Sequence, residues 1–368
     1  MRVRKTKTEV VKQNVGIDIS KADFKVCFFH LDSNGRKSIK GTRTYKNTAA
    51  GFEQFHNWIC KKIVIEIGVH ITLEATGVYY ENLTYFLVEN NYLVSVLLPN
   101  QSKAFAMSLN LKTKTDKVDA RMLGQMGIER DLPKWLPLSD NMRILKQLTR
   151  DRVSLLDEKT ALSNKLHALN HSYKPENSVI KRLKQHQKLI IKQLSQVEKE
   201  IRQNVEKDEV LNQKIANICM VKGLGIITVA TIVAETNGFV LFTSRSQLIS
   251  YAGYDVVQRE SGSSIKGKTR ISKKGNRFIR RALHFPAITM VKHEQQYKQL
   301  FERILDRTSI KMKGYVAVQR KALILIYTLF KNNEPYNPNY ENKIEGNIEQ
   351  VTEKCRQDKN PAYSGCLS

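Results

Sequence analysis

Leu148, Leu155, Leu162 and Leu169 recur every seven residues, with Leu145 and Leu166 at the companion positions. A repeat of seven does not alternate across a strand. It lays one apolar stripe along a helix, and that stripe needs a partner. The pattern breaks at YKPEN (173–177) and resumes through Ile180, Leu183, Ile190, Leu194, Val197, Ile201, Leu211, Ile215 and Ile218. Two long helices joined at a proline turn are expected, forming an antiparallel coiled-coil hairpin over 141–218, about 45 Å long at roughly 1.5 Å per residue. A helical pair inside an ordinary bundle would show the same stripe. Arg152 and Lys159 fall on seam positions and weaken it there.

Before that stripe the periodicity is different. NVGIDIS (14–20) and FKVCFFHL (24–31) are short β-rich runs joined by a tight SKAD turn, and read as a hairpin. A third strand is expected near 39–46, then a helix over 49–66 with Phe52, Phe55, Trp58, Ile59 and Ile63 on one face. VHITLE (69–74) reads as a strand, YYENLTYFLVENN (79–91) as a helix, and YLVSVLLP (92–99) as a buried strand ended by proline. Another helix opens at Asp116. Three strands, then helix, strand, helix, strand, helix is the order of an RNase H-like (RuvC-like) fold, expected over 13–131.

Residues 219–331 form a further, mainly helical unit. VKGLGIITVATIVAETN (221–237) sets two glycines between apolar helical segments, as in helix–hairpin–helix elements that grip a DNA backbone through loop N–H groups; a plain helix–helix turn has the same pattern. From 332 to 368 the chain is polar and without periodicity, and a disordered tail is expected. The fold class is therefore α/β plus α: an RNase H-like N-terminal domain, a coiled-coil hairpin and a mainly helical C-terminal domain.

Charge narrows the partners. Sixty-one Lys and Arg stand against 35 Asp and Glu, a formal +26. Such an excess repels itself in a compact state, and a polyanion, above all nucleic acid, relieves it. A basic protein without that partner would share the composition. No apolar run approaches the roughly eighteen residues of a membrane span, and MRVRKTKTEV lacks the apolar core of a signal peptide. Five cysteines, scattered and without a Cys-x-x-Cys pair, argue against a zinc site or a disulfide framework. No membrane partner and a cytoplasmic location are expected.

Four acids of the first domain fall where an RNase H-like sheet would bring them together. Asp18 sits mid-strand between apolar neighbours, which is unfavourable unless it is paired or metal-bound. Glu74 ends the strand expected beside the first. Asp116 and Asp119 are three apart, on one face of a helix. Together the four could hold two Mg²⁺ ions about 4 Å apart, one at the attacking and one at the leaving oxygen of a phosphodiester, with Lys114 and Lys117 toward phosphate. Taken singly, Asp116 could be a helix N-cap and Asp18 could be paired with a lysine.

A second constellation lies in VVQRESGSSIKGKTRISKKGNRFIRRAL (256–283). From Arg259 to Arg281 it holds nine bases (Arg259, Lys266, Lys268, Arg270, Lys273, Lys274, Arg277, Arg280, Arg281) and one acid. Ser261, Gly262, Ser263 and Ser264 open it, before a helix starting near Asn276. Guanidinium forks and backbone N–H groups around a hydroxyl suit a serine attacking a phosphodiester. A basic loop that binds nucleic acid without chemistry would look alike.

GIDISK, LEATGVYYENL, TKTDKVDARML and YAGYDVVQRESGSSIKGKTRISKKGNRFIRRAL together resemble the DEDD insertion-sequence transposases, over residues 13–330 and in that family's domain order. The resemblance implies a RuvC-like domain whose metal-binding tetrad maps onto Asp18, Glu74, Asp116 and Asp119. Its nucleophilic serine maps best onto Ser261, with Ser263, Ser264 and Ser272 as neighbouring competitors. Tyr254 stands where the family has an apolar residue after Tyr-Ala-Gly. The resemblance further implies an enzyme that excises and inserts its own mobile element. A structured guide RNA would pair with element ends and target DNA, and the enzyme would work as a dimer or tetramer. A metal-dependent, RNase H-like endonuclease resolving branched DNA by hydrolysis is the alternative with the same tetrad.

Overall fold

The alternating sequence at the start of the chain folds as a five-stranded sheet in the computed structural model, which describes residues 9–110, 115–258, 260–261, 265–267 and 269–337. β1 (Val10–Ile19), β2 (Asp23–Asp32) and β3 (Lys37–Lys46) form an antiparallel meander. They are followed by α1 (Ala49–Cys60), β4 (His70–Glu74), α2 (Glu81–Glu89), β5 (Leu93–Leu97), α3 (Pro99–Ser108) and α4 (Asp116–Glu129). The strand order is β3-β2-β1-β4-β5, with β4 parallel to β1 and to β5. This is the mixed, RNase H-like sheet that the order of elements predicts.

Two local expectations are corrected. The helix expected over 49–66 stops at Cys60. Beyond it the backbone is held by Gln13 of β1, whose amide donates to the Val64 and Gly68 carbonyls at 2.8 Å while its oxygen accepts the Val64 N–H at 2.9 Å. Those groups are satisfied from the sheet, so the helix gains nothing by continuing. Pro99, read as the end of a strand, also opens α3, where its fixed φ and missing N–H suit the first helical position.

The helix that matters most is α4. It lies against the sheet at backbone distance because glycines face it. A Cβ on Gly16 would fall 2.0 Å from the Gly124 nitrogen, and one on Gly127 would fall 2.1 Å from Asn14 Nδ2. Advancing from Ala120 to Gly127, α4 passes from Gly16 back to Asn14, so it runs against the direction of β1. Its first turn therefore lies at the end of β1 that carries Asp18.

The described residues from 9 to 137 form the first unit, those from 138 to 337 a second, largely helical one. It contains α5 (Asp140–Asn170), α6 (Asn177–Glu206), α7 (Glu209–Cys219), α8 (Ile226–Glu235) and α9 (Arg245–Ala252). Four two-residue strands follow: β6 (Val256–Val257), β7 (Glu260–Ser261), β8 (Ile265–Lys266) and β9 (Arg270–Ile271). The unit closes with α10 (Arg277–Ala282), α11 (His284–His293), α12 (Gln295–Thr308) and α13 (Lys311–Asn332).

α5 and α6, of 31 and 30 residues, pack along one another. Leu145, Leu155, Leu162 and Leu166 are buried, while Leu148 and Leu169 are partly so. Arg152 holds its seam position by pairing with Glu198 at 2.7 Å across the two helices. One apolar core continues from Leu145 through α13 to Phe330. The second long helix was expected to reach 218 but ends at Glu206. Leu211, Ile215 and Ile218 belong to α7, which starts afresh where the Asp208 carboxylate caps the Leu211 N–H at 3.0 Å. Among the described residues no helix is long and apolar enough to cross a membrane. The expected tail lies almost wholly outside them.

Candidate active site and nucleic-acid interface

Parallel pairing of Ile17 with Leu73 puts the next residues, Asp18 and Glu74, at the same edge of the sheet. Buried Ile17 and Ile19 flank the half-buried Asp18 and fix its strand in the core. α4 brings the other two acids. Thr115, not Asp116, is its N-cap: the Thr115 hydroxyl accepts the Val118 N–H, which frees both Asp116 and Asp119 for other work.

The four acids act on one another through their charges. Burial, then the charges of Asp119, Asp116 and Glu74, push the Asp18 carboxyl up to about 6, against the pull of Lys25. Lys25 is the cross-strand partner of Asp18 on β2, and its ammonium is hydrogen-bonded to Asp116. That bond holds the Asp116 carboxyl below its ordinary range. Ser102, buried on α3, places its hydroxyl on the Glu74 carboxylate.

As they stand, the side chains do not close around an ion. Among the described residues, no three His, Cys, Asp or Glu groups are clustered tightly enough to hold one. Asp116 meets Lys25, and Glu74 meets Ser102. The donor set nevertheless fits Mg²⁺ chemically: four hard carboxylates whose mutual repulsion is felt at Asp18 and is only partly offset by one ammonium. Lys117, at the start of α4, is exposed, and Lys114 lies outside the described residues.

The serine-bearing segment is built differently. α9 ends at Tyr251-Ala252, and Gly253 turns the chain at φ +73, hard against the Arg280 guanidinium. The chain leaves and returns through two short ladders: Val256 pairs with Ile271 and Val257 with Arg270, then Glu260 with Lys266 and Ser261 with Ile265. For Ser261 and Lys266 the description extends to the backbone alone. Arg259, Ser263, Ser264 and Lys268 lie outside the described residues. Ser272 is tied into a turn, its N–H on the Asp255 carbonyl at 2.8 Å and its hydroxyl accepting the Lys274 N–H at 3.2 Å.

The bases divide into two sets. Arg270, Lys273, Lys274 and Arg277 are exposed. Arg280 instead donates to the Ala252 carbonyl at 2.7 Å, and Arg281 pairs with Asp157 of α5 at 2.6 Å. Tyr254 is accommodated because its hydroxyl donates to Gln319 of α13 at 2.9 Å inside the core.

Sequence reasoning missed the group that closes the neck of this segment. Glu235, at the end of α8, has a fully buried side chain. Arg150 of α5 donates to both its oxygens, at 2.6 and 2.9 Å, and Asn276 donates to it at 2.7 Å. Asn276 also caps α10 through its side-chain oxygen, and its N–H donates to the Tyr251 carbonyl at 2.7 Å. Tyr251 in turn donates to the Glu235 carbonyl at 3.0 Å. The signal was a lone acid in the apolar run ITVATIVAE, since a charge at such a place must find a partner.

Matches to transposase models over both parts of the chain make it an enzyme of DNA recombination, a transposase/recombinase. Residues 15–175 match the DEDD transposase domain of IS110 elements, and residues 216–302 match the domain described as transposase IS116/IS110/IS902 family. The chain is also similar to the pilin gene-inverting protein of Moraxella bovis, at 28% identity over 331 residues, 89% of this chain and 98% of that one. The pilin gene-inverting protein of Moraxella lacunata matches over the same extent, also at 28% identity.

Proposed function

We propose that this IS110-family transposase/recombinase uses Asp18, Glu74, Asp116 and Asp119 to hold Mg²⁺ and Ser261 as nucleophile to cut and rejoin element ends and target DNA. The observation that carries this reading is geometric: Asp18 and Glu74 follow paired residues of parallel strands, and the first turn of α4, with Asp116 and Asp119, lies at that end of β1. Bound Mg²⁺ would stabilise negative charge developing on the phosphodiester oxygens. The chain supplies the rest. Asp18 and Glu74 are fixed by paired strands, and Asp116 and Asp119 by a helix that glycines hold against β1. Lys25 neutralises Asp116 until the acids are otherwise occupied. The Ser261 oxygen forms a new P–O ester as the scissile P–O bond breaks. The serine proton passes to a base, and the departing strand oxygen is protonated and is later the group that rejoins. Arg270, Lys273, Lys274 and Arg277 hold the flanking phosphates.

The same reading takes a structured guide RNA to select both DNA partners, with the enzyme acting as a dimer or tetramer in the cytoplasm. The α5–α6 pair serves as an antiparallel coiled coil. Inversion of a DNA segment, for which the relatives are named, needs the same cutting and rejoining at two sites.

The test is a covalent adduct. Full-length protein with Mg²⁺, its element-end DNA and transcribed flanking RNA should give a denaturant-resistant protein–DNA species. Ser261→Ala and Asp18→Asn should each remove it. An adduct surviving Ser261→Ala moves the nucleophile to Ser263, Ser264 or Ser272. Cleavage by Ser261→Ala, with no adduct in the wild type, makes the enzyme a hydrolytic nuclease.

A further inference from the structure

α6 carries two faces of opposite character. Ile190, Leu194, Val197 and Ile201 are buried along one side. On the other, Lys181, Lys184, Lys188, Lys192, Lys199 and Arg202 are all exposed. Their spacings of three, four, four, seven and three residues keep them on a single stripe, with Ser195 filling the turn between Lys192 and Lys199. Neighbouring ammonium groups on such a stripe repel one another. The helix does nothing to relieve this. It has no acid from Asn177 to Val197. Glu198 is committed to Arg152 and Glu200 to Gln196, at 2.7 and 2.9 Å. Among the described residues none of the six cations has an ion-pair partner.

We propose that this exposed face of α6 is a track for the phosphate backbone of duplex DNA, held without regard to sequence. At about 1.5 Å per residue the stripe is roughly 32 Å long, close to one turn of B-form duplex. α6 contains no Phe, Tyr or Trp, so it offers no platform on which unpaired bases could stack, as single strands require. Six cations dominate the stripe, with Gln185 beside Lys181, Lys184 and Lys188, and a row of cations of this length binds phosphate and positions a duplex. The occupant is DNA because DNA is what this enzyme works on. The surface lies outside the basic run 259–281, and it is independent of the reading of Ser261 and the carboxylates.

The experiment compares full-length wild type with Lys184→Gln/Lys188→Gln/Lys192→Gln, binding a labelled 40-base-pair duplex of arbitrary sequence across a salt series. A control of equal charge, Lys40→Gln/Lys61→Gln/Lys313→Gln, changes exposed lysines elsewhere. If the three α6 lysines each neutralise a phosphate, the log–log salt slope should flatten by about 2.7, at roughly 0.9 per contact, while the control stays near wild type. Melting curves should match, since none of the three has a partner to lose. Equal loss in both triples would reduce the effect to net charge and overturn the proposal. So would an unchanged slope, or a defect confined to RNA binding or to oligomerisation. Absence of a serine adduct would leave this result untouched, because binding requires no nucleophile.

Discussion

The carboxylate edge of the first unit and the serine segment of the second, the two places to which the proposed chemistry is assigned, are built by opposite means. The carboxylates stand on regular elements. Backbone pairing puts Asp18 level with Glu74, and glycine contacts of about van der Waals closeness or less set α4 over β1. The serine stands on one of four two-residue strands in an excursion between α9 and α10, with a buried polar knot at its neck. A site on strands inherits its geometry from the core. A site on an excursion depends on whatever clamps the two ends of the loop.

That contrast is tested first at its strong end. Asp119→Asn keeps shape and volume on a helix packed by Gly124 and Gly127, so the first unit should fold as before. Strand cleavage should fall by about a hundred- to a thousandfold, the scale of losing charge stabilisation at a preorganised site. Duplex binding should change little. Cleavage within tenfold of wild type would remove Asp119 from the machinery.

The knot at Glu235 comes next. Glu235→Ala leaves Arg150 and Asn276 without their shared acceptor, and breaking a buried pair in this way costs about 3 kcal/mol. The second unit should melt several degrees lower, and adduct formation should fall further than stability alone explains. Arg150→Met combined with Glu235→Ala should lose less than the sum of the two single changes, because the pair acts as one element. Additive losses would mean that the knot is not one structure.

These two sites were not equally visible in the chain. Asp18, Glu74 and the Asp116–Asp119 pair could be placed because each lies on a strand or helix whose period is written in its neighbours. Ser102 and Lys25 could not, since each meets its carboxylate across the fold. Lys25 and Asp116 are 91 residues apart, and Ser102 and Glu74 are 28 apart on different elements. The neck was hidden for the same reason: Arg150 and Glu235 are 85 residues apart. Helix ends failed where a side chain offered the backbone another partner. Gln13 did so after Cys60, and Asp208 did so before Glu209, although the cap at Asp208 was there to be read.

A smaller effect should separate the two regions by pH and metal. Asp18 has its carboxyl raised from an ordinary 3.8 to about 6 by burial and by the charges of Asp119, Asp116 and Glu74. A carboxyl raised in the folded state favours folding when protonated. Its contribution is fully present below the unfolded value and is lost as pH rises through about 6. Above that the ionised group weighs against the metal-free fold. Asp18→Asn should therefore stabilise the metal-free first unit at pH 7.5 by about 1–2 kcal/mol, less than the full shift implies because Asp18 is partly exposed and Lys25 screens it. The advantage should shrink toward zero near pH 4. Millimolar Mg²⁺ should raise the wild-type transition at pH 7.5 and leave that of Asp18→Asn nearly unmoved, while the transition of the second unit ignores the metal. If wild type and Asp18→Asn track each other across that pH range, with and without Mg²⁺, the four acids do not share one field, and the sheet edge is no more preorganised for a cation than the loop is.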